Sequence, residues 1–337
     1  MPRLLIVLSS TALLLAPACA QTPADAPGAT PAETSAVTAG DTSRADPRQQ
    51  FAGTWELVRV ERYDADGELQ PPPDPPGFGA GSPLGYIMYD GDGYMGVVIQ
   101  QDGRQPYAGE RRTPDEALAA VTSYTSYFGP YTVNETEGYV THHLEGSLSP
   151  GGRGRDNQRF YEFSGNQLAL KPPAGASGTQ LRIVWERVPE LAELTDEHRR
   201  FIGFWEFDSV ERRTVDGESL PANQWRAGYI IYTPSGHMAV HLARPDRQPY
   251  ADGGPTPDEA DAALGTYASY FGPFTIHADE RYVVHHRIGN TSPNGVGTDA
   301  QRFYEFAGNQ LILKPPPAMV DGREVQSFIY WNRISGG

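Results

Sequence analysis

Along much of the chain, apolar and polar residues trade places at every second position. In the stretch 93–100, Met95, Val97 and Ile99 fall on one face of an extended strand, and in 236–243 Met238, Val240 and Leu242 do the same. Alternation with a period of two predicts a sheet whose two sides meet different surroundings. Turn-forming residues interrupt the pattern at Asp-Ala-Asp-Gly (64–67), Asp-Gly-Asp-Gly (90–93), Ser-Gly-Asn (164–166) and Ala-Gly-Asn (307–309), so the strands are short and tightly joined. Helical spacing is well marked in only two places. Thr113, Pro114, Asp115 and Glu116 supply an N-cap, a first-turn proline, early acidic charge and a capping-box glutamate. Ala117, Val121, Tyr124 and Phe128 follow at helical spacing, which predicts a helix running to the stop at Gly129-Pro130. Thr256, Pro257, Asp258 and Glu259 open the same design, which ends at Phe271-Gly272-Pro273.

The recurrence is general. Gln-Arg-Phe-Tyr-Glu-Phe at 158–163 returns at 301–306, Arg-Gln-Pro-Tyr-Ala at 104–108 returns at 247–251, and Ser-Tyr-Phe-Gly-Pro at 126–130 returns at 269–273, each 143 positions later. An internal repeat of this length means one structural unit written twice. The units span 51–188 and 201–334, and 189–200 joins them as a short helical turn. A sheet of roughly eight strands per unit hides its edges by closing into a barrel. The expected fold is therefore mainly β: two tandem antiparallel β-barrels, each with one inserted α-helix. Segments 72–83 and 221–228 occupy the same place in the two units but differ in length and content, and read as covers for a barrel mouth.

Charge narrows the partners. The formal net charge is −15 and no run of Lys and Arg tracks phosphates, so nucleic acid is not an expected partner and an anionic membrane would repel the folded part. Arg3 followed by the apolar run 4–15, too short to span a bilayer, reads as an export signal over residues 1–20. Two processing readings stay open. Ala18-Cys19-Ala20 is a small-x-small cleavage site. Alternatively Cys19, the sole cysteine, becomes a lipidated first residue, the one route by which the chain would meet a membrane. Residues 21–50 are rich in Ala, Pro and Thr and nearly lack large apolar side chains, so they cannot offset their ordering entropy and read as a disordered linker. The chain is expected to be exported to the periplasm or cell envelope, lipid-anchored there if Cys19 is modified, or otherwise secreted.

Tyr139-Val-Thr-His-His143 and its repeat Tyr282-Val-Val-His-His286 raise the question of a metal site. Neighbours on a strand point to opposite faces, so His142 and His143 cannot ligate one ion together. One of each pair is either a wall histidine hydrogen-bonded to Tyr, Glu or a carbonyl, or a contact lining the barrel. His237 and His241 replace Tyr94 and Val98 of the first unit, and lie too far apart along a strand to share an ion. No metal and no cofactor is expected. Arg159, Tyr161 and Phe163 share a face, as do Arg302, Tyr304 and Phe306. An arginine among aromatics either grips a carboxylate or stacks as a structural plug. One of Tyr86 and Tyr89, and one of Tyr229 and Tyr232, should face inward, with Tyr86 and Tyr229 as the candidates. Tyr107 and Tyr250, beside Arg104 and Arg247, are expected to rim the entrances. No nucleophile elbow, P-loop, dinucleotide fingerprint or zinc motif is present.

Gly53-x-Trp55 opens the first unit and Arg187 lies near its end; Gly203-x-Trp205 and Arg333 repeat the arrangement. This resembles the lipocalin signature, and the repeated motifs around it are similar to bacterial lipocalin-like domains, of the calycin type. The resemblance covers both units and implies barrels in which the tryptophan closes one end and the arginine packs across its ring. Two features depart from typical lipocalins: the helix sits between strands, and a single cysteine allows no intrachain disulfide. Two barrel-like units with aromatic-rich strands and no catalytic signature point to a small lipophilic molecule as partner, held in each cavity by residues drawn from Tyr86, Tyr107, His142, Arg159 and Tyr161 in the first unit and Tyr229, His237, Tyr250, His285, Arg302 and Tyr304 in the second. The same residue types leave open a cofactor-independent isomerase or cyclase, and a structural or interaction module whose barrels are filled by side chains.

Overall fold

The computed structural model describes residues 46–71, 81–222, 224–251 and 254–336. The export segment with Cys19, most of the 21–50 linker and residues 72–80 of the expected mouth loop lie outside the described residues. Two closed eight-stranded antiparallel barrels follow one another along the chain. The first contains β1 (Gly53–Tyr63), β2 (Leu84–Tyr89), β3 (Tyr94–Gln100), β4 (Tyr124–Asn134), β5 (Tyr139–His143), β6 (Gly146–Ser147), β7 (Asp156–Ser164), β8 (Gln167–Lys171) and β9 (Gln180–Arg187). The second contains β10 (Gly203–Thr214), β11 (Ser219–Leu220), β12 (Ala227–Tyr232), β13 (His237–Ala243), β14 (Tyr267–His277), β15 (Tyr282–Arg287), β16 (Gly289–Asn290), β17 (Thr298–Ala307), β18 (Gln310–Lys314), β19 (Ala318–Val320) and β20 (Arg323–Ser335). Pairing of β1 with both β2 and β9, and of β3 with β4, closes the first ring; β10 closes the second against β12 and β20. The short β6, β11, β16 and β19 hang on these rings as side pairs.

The helices are shorter than their spacing predicts. Helix α2 covers Pro114–Thr122 and α4 covers Pro257–Gly265, each opened by the expected capping box. Tyr124 and Phe128 belong to β4, and their counterparts Tyr267 and Phe271 to β14. A separation of four residues satisfies a strand face as well as a helix face, and the aromatic and β-branched run Tyr-Thr-Ser-Tyr-Phe favours the strand. Within β4 the partner changes from β6 to β5 at Gly129, where a Cβ would collide with the His143 carbonyl oxygen. A helical turn also precedes each barrel: α1 (Arg48–Phe51) and α3 (Asp196–Phe201), both ending in a buried phenylalanine. Order in the linker therefore begins before residue 51, because Phe51 is held in the core.

Strands β2 and β3 are buried on both faces, as are β12 and β13. Inward, Ile87, Tyr89, Met95, Val97 and Ile99 join Trp55 and Trp185 in the interior of the first barrel. Outward, Tyr86, Met88, Val98 and Phe128 pack against Phe204, Tyr229, Ile231 and Phe271 of the second. The barrels thus share a third apolar core between them. Gly96 makes the approach possible, since a Cβ there would lie 2.5 Å from Ile231 Cδ1 and 2.9 Å from His241 Nε2. Helices α2 and α4 pack on each other through Ala117, Val121, Ala260 and Ala263, small side chains that let the two axes come close.

Candidate functional site

Each lumen has a closed floor. Trp55 and Arg187 are directly paired across β1 and β9, and the guanidinium lies 4.0 Å above the indole centroid. The indole Nε1 donates to the Phe51 carbonyl at 2.7 Å, and Arg187 donates to the carbonyls of Gln50 and Ala52. Trp205 and Arg333 repeat this at 4.1 Å, with the indole on the Phe201 carbonyl and the guanidinium on those of Arg200 and Ile202. The arginine thus satisfies the open carbonyls of the helical turn while stacking on the ring, where a cation is attracted to the π face. Phe51 rises from that turn into the lumen, against Tyr89, Tyr131, Tyr161 and Phe163 at centroid distances of 5.0–6.1 Å. The barrel closure expected of Trp55, Arg187, Trp205 and Arg333 is the observed geometry.

Above the floor, an apolar interior carries one polar cluster. His142 on β5 is completely buried, with the Tyr89 hydroxyl 2.7 Å from Nε2 and the Tyr127 hydroxyl 3.1 Å from Nδ1. In the second barrel, His285 stands between Tyr232 at 2.8 Å and Tyr270 at 2.9 Å. Burial, and then the charge of Arg159, hold His142 well below the usual imidazole range; burial and Arg302 do the same to His285. A neutral imidazole has one donor and one acceptor nitrogen, so one tyrosine of each pair donates to the ring and the other accepts from it. Burial pushes the Tyr89 and Tyr232 hydroxyls up, so they stay protonated. Arg159 acts on the Tyr127 hydroxyl, and its Nη1 donates to the Gln158 carbonyl at 2.8 Å; among the described residues, no carboxylate pairs with it. Arg302 has the same backbone partner, Gln301. Trp185 Nε1 and Trp331 Nε1, one in each lumen, are buried and have no acceptor among the described residues.

The two ends of the lumen differ in exposure. Trp55, Tyr89, Leu168 and Trp185 are sealed from solvent, whereas Val60, Tyr127, Val133 and Tyr161 face the same interior and remain half-buried. In the second barrel Val210, Tyr270, Ile276 and Phe306 are the half-buried ones. Solvent therefore reaches this end of each lumen and not the floor.

Six of the expected site residues come together in the lumens: His142, Arg159 and Tyr161 in one, His285, Arg302 and Tyr304 in the other. Tyr304 faces Glu197 of α3, which adds to the burial that raises its hydroxyl. The other five lie elsewhere. Tyr86 and Tyr229 point outward into the core between the barrels, where the Tyr229 hydroxyl donates to Glu145 at 2.7 Å. Their inward partners are Tyr89 and Tyr232. His237 also sits on the outward face, its ring 4.9 Å from that of Tyr86 and its Nδ1 3.1 Å from the Ser235 hydroxyl. His241, on the same face, contacts Ser126 and Tyr267. Tyr107 and Tyr250 do not rim entrances. The Tyr107 amide donates to Asn294 of the other barrel, and Tyr250 packs beside α4. Arg104 and Arg247 clamp the barrels together, Arg104 on the carbonyls of Asn290 and Thr291, and Arg247 on those of Ser147 and Leu148. These assignments fail for one reason: the repeat does not announce that the barrels pack by their outer faces. Tyr127 and Tyr270 were missed because their segments carry helical spacing.

The outward histidine of each pair has its own partners. His143 lies between Thr132 Oγ1 at 2.9 Å and Asp156 Oδ1 at 2.8 Å, and His286 lies likewise between Thr275 and Asp299. Among the described residues, no group of three or more His, Cys, Asp or Glu could hold a metal ion.

A family model described as a lipocalin-like domain matches residues 52–188 and again 202–334. No curated protein matches the chain. Among solved structures, the chain is similar to a protein of unknown function of the DUF3598 family from Nostoc punctiforme, at 9% identity over 86% of this chain and 98% of that one, with a TM-score of 0.23. It is also similar to the isotype 1 transferrin binding protein B from serogroup B Neisseria meningitidis, at 10% identity over 83% of this chain and 76% of that one, with a TM-score of 0.22. Likenesses at these scores carry nothing further about this chain.

Proposed function

This chain belongs to the lipocalin-like domain family, and from that premise we propose that each barrel binds a small, largely apolar molecule in its lumen. The apolar body of the ligand enters at the end of the lumen where Val60, Val133 and Tyr161 are partly exposed. Its polar end meets the Tyr–His–Tyr cluster, the neighbouring arginine and the indole Nε1. A few convergent polar groups in an otherwise apolar cavity are what orients a ligand in such a site. The observation that carries the reading is Arg159 beside Tyr127 and His142, a cation that has no carboxylate partner among the described residues and faces an apolar interior. Retention of the polar cluster favours a ligand with an acidic or carbonyl head.

The cluster is less suited to proton transfer. A general base works best with a pKa near the operating pH, and both imidazoles are held well below that. Both ring nitrogens are also already engaged by tyrosines. Binding therefore fits better than an isomerase or cyclase. Half-buried aromatic side chains along the lumen weigh against a barrel filled by its own residues. The run 4–15 behind Arg3 supports a setting outside the cytoplasm, in the periplasm or cell envelope.

Native mass spectrometry of the protein isolated from its own host envelope tests the binding reading. Added mass that organic extraction removes, or uptake of a lipophilic probe, is expected. Apo mass alone, together with refusal of every such probe, would overturn it.

A further inference from the structure

We infer that a cleft between the two barrels, outside either lumen, binds a phosphorylated small molecule. The cleft measures about 310 Å³ and is lined from both repeats, with Arg153 from the first and Arg226, Arg244 and Arg247 from the second. In a chain of net charge −15, this gathers cations in one concave place. Among the described residues, none of the four pairs with a carboxylate. Glu145 also lines the cleft, but its Oε2 accepts from the Tyr229 hydroxyl. Among the described residues, buried Arg244 Nε has no acceptor. A buried donor left unpaired is costly, and four arginines against the single carboxylate of Glu145 leave the cleft with an excess of positive charge.

The protein supplies its own comparison. The internal repeat creates a twin cleft of about 260 Å³ on the other side of the junction, lined by Gln101, Arg104 and Val296. By the 143-residue offset, Arg247 corresponds to Arg104, Arg153 to Val296, Arg244 to Gln101 and Arg226 to Pro83. Arg104 and Arg247 make the same clamp across the junction. The twin cleft holds its side of the junction without the other three arginines, so joining the barrels does not account for them. Their planar forks suit a phosphate, whose two charges balance the lining better than one carboxylate does. The cleft exceeds a bare phosphate, leaving room for a small organic group.

The test is isothermal titration calorimetry of the two-barrel protein with glycerol 1-phosphate and with inorganic pyrophosphate, against sodium chloride at equal ionic strength. One saturable site per chain is expected. Arg153→Val with Arg244→Gln installs the residues of the twin cleft and should weaken binding by about tenfold per arginine removed. Arg153→Val alone, at an exposed position, should cost about tenfold with an unchanged circular dichroism spectrum. Cosedimentation with phosphatidic-acid vesicles, where glycerol 1-phosphate fails to bind, would identify the phosphate as that of a lipid headgroup. Two results overturn the site: no saturable binding to any of these probes, or a double variant that binds as the wild type does.

Discussion

The Tyr89 hydroxyl and His142 Nε2 lie 2.7 Å apart inside the first barrel, and Tyr232 and His285 reproduce the contact at 2.8 Å in the second. Each imidazole also meets a second tyrosine, so its removal leaves two buried hydroxyls to find new partners. His142→Leu is expected to cost about 2–4 kcal/mol in urea unfolding. In a double-mutant cycle with Tyr89→Phe, the coupling should be about 1–2 kcal/mol. Additive effects would mean that the contact holds nothing.

Acid should destabilise the fold through its buried histidines. His142 and His285 titrate well below 6.5 in the folded state, and burial lowers His241 to about 3. The unfolded chain takes up these protons near pH 6.5. Each folded pKa is depressed, so the stabilising contribution is complete above pH 6.5 and is lost as pH falls towards the folded value. Each histidine adds about 1.4 kcal/mol per pH unit to the slope below 6.5. His241→Val, which installs the residue of the first repeat, should remove one proton from that slope with little loss at pH 7. Unfolding free energies measured between pH 4 and 8 check this; an unchanged slope would contradict it.

The floor should depend on the stacked arginine. Arg187→Gln removes both the cation above Trp55 and the donors on the Gln50 and Ala52 carbonyls. We expect a loss of about 1–3 kcal/mol, with faster hydrogen exchange at residues 48–51. Protection of that turn equal to the wild type would show that the arginine does not hold it.

Gly96→Leu should act on the junction rather than on the lumen. Its Cβ would press on Ile231 and His241 of the other barrel. A destabilisation of about 2 kcal/mol or more is expected, with proteolysis near the segment joining the barrels, while probe uptake by each lumen persists. Loss of uptake at both lumens would show that the barrels do not fold independently of their contact.

Much of this architecture is written in the residues. Period-two alternation at Met95, Val97 and Ile99 marks the inward face of β3 and recurs 143 residues later, while the closed end was implied by the resemblance that Trp55 with Arg187, and Trp205 with Arg333, carry. Tyr124 and Phe128 misled, since four-residue spacing suits a helix and a strand alike. Tyr86, Tyr229 and His237 misled for a different reason. Aromatic and imidazole side chains on the second face of a strand read as ligand contacts, when a neighbouring barrel covers them. Docking of one unit on another leaves no periodic trace in sequence. Only the doubled burial of β2, β3, β12 and β13 reveals it.

The most direct test of ligand binding counts lumens. Titration of the protein with a fluorescent fatty acid should saturate at one probe per barrel. Val133→Trp, at a half-buried position facing the first lumen, should abolish one of those sites and leave the other intact. Arg302→Gln should weaken the second by about tenfold. Saturable uptake that ignores both substitutions, or no uptake by the folded wild type, would contradict ligand binding in the lumens.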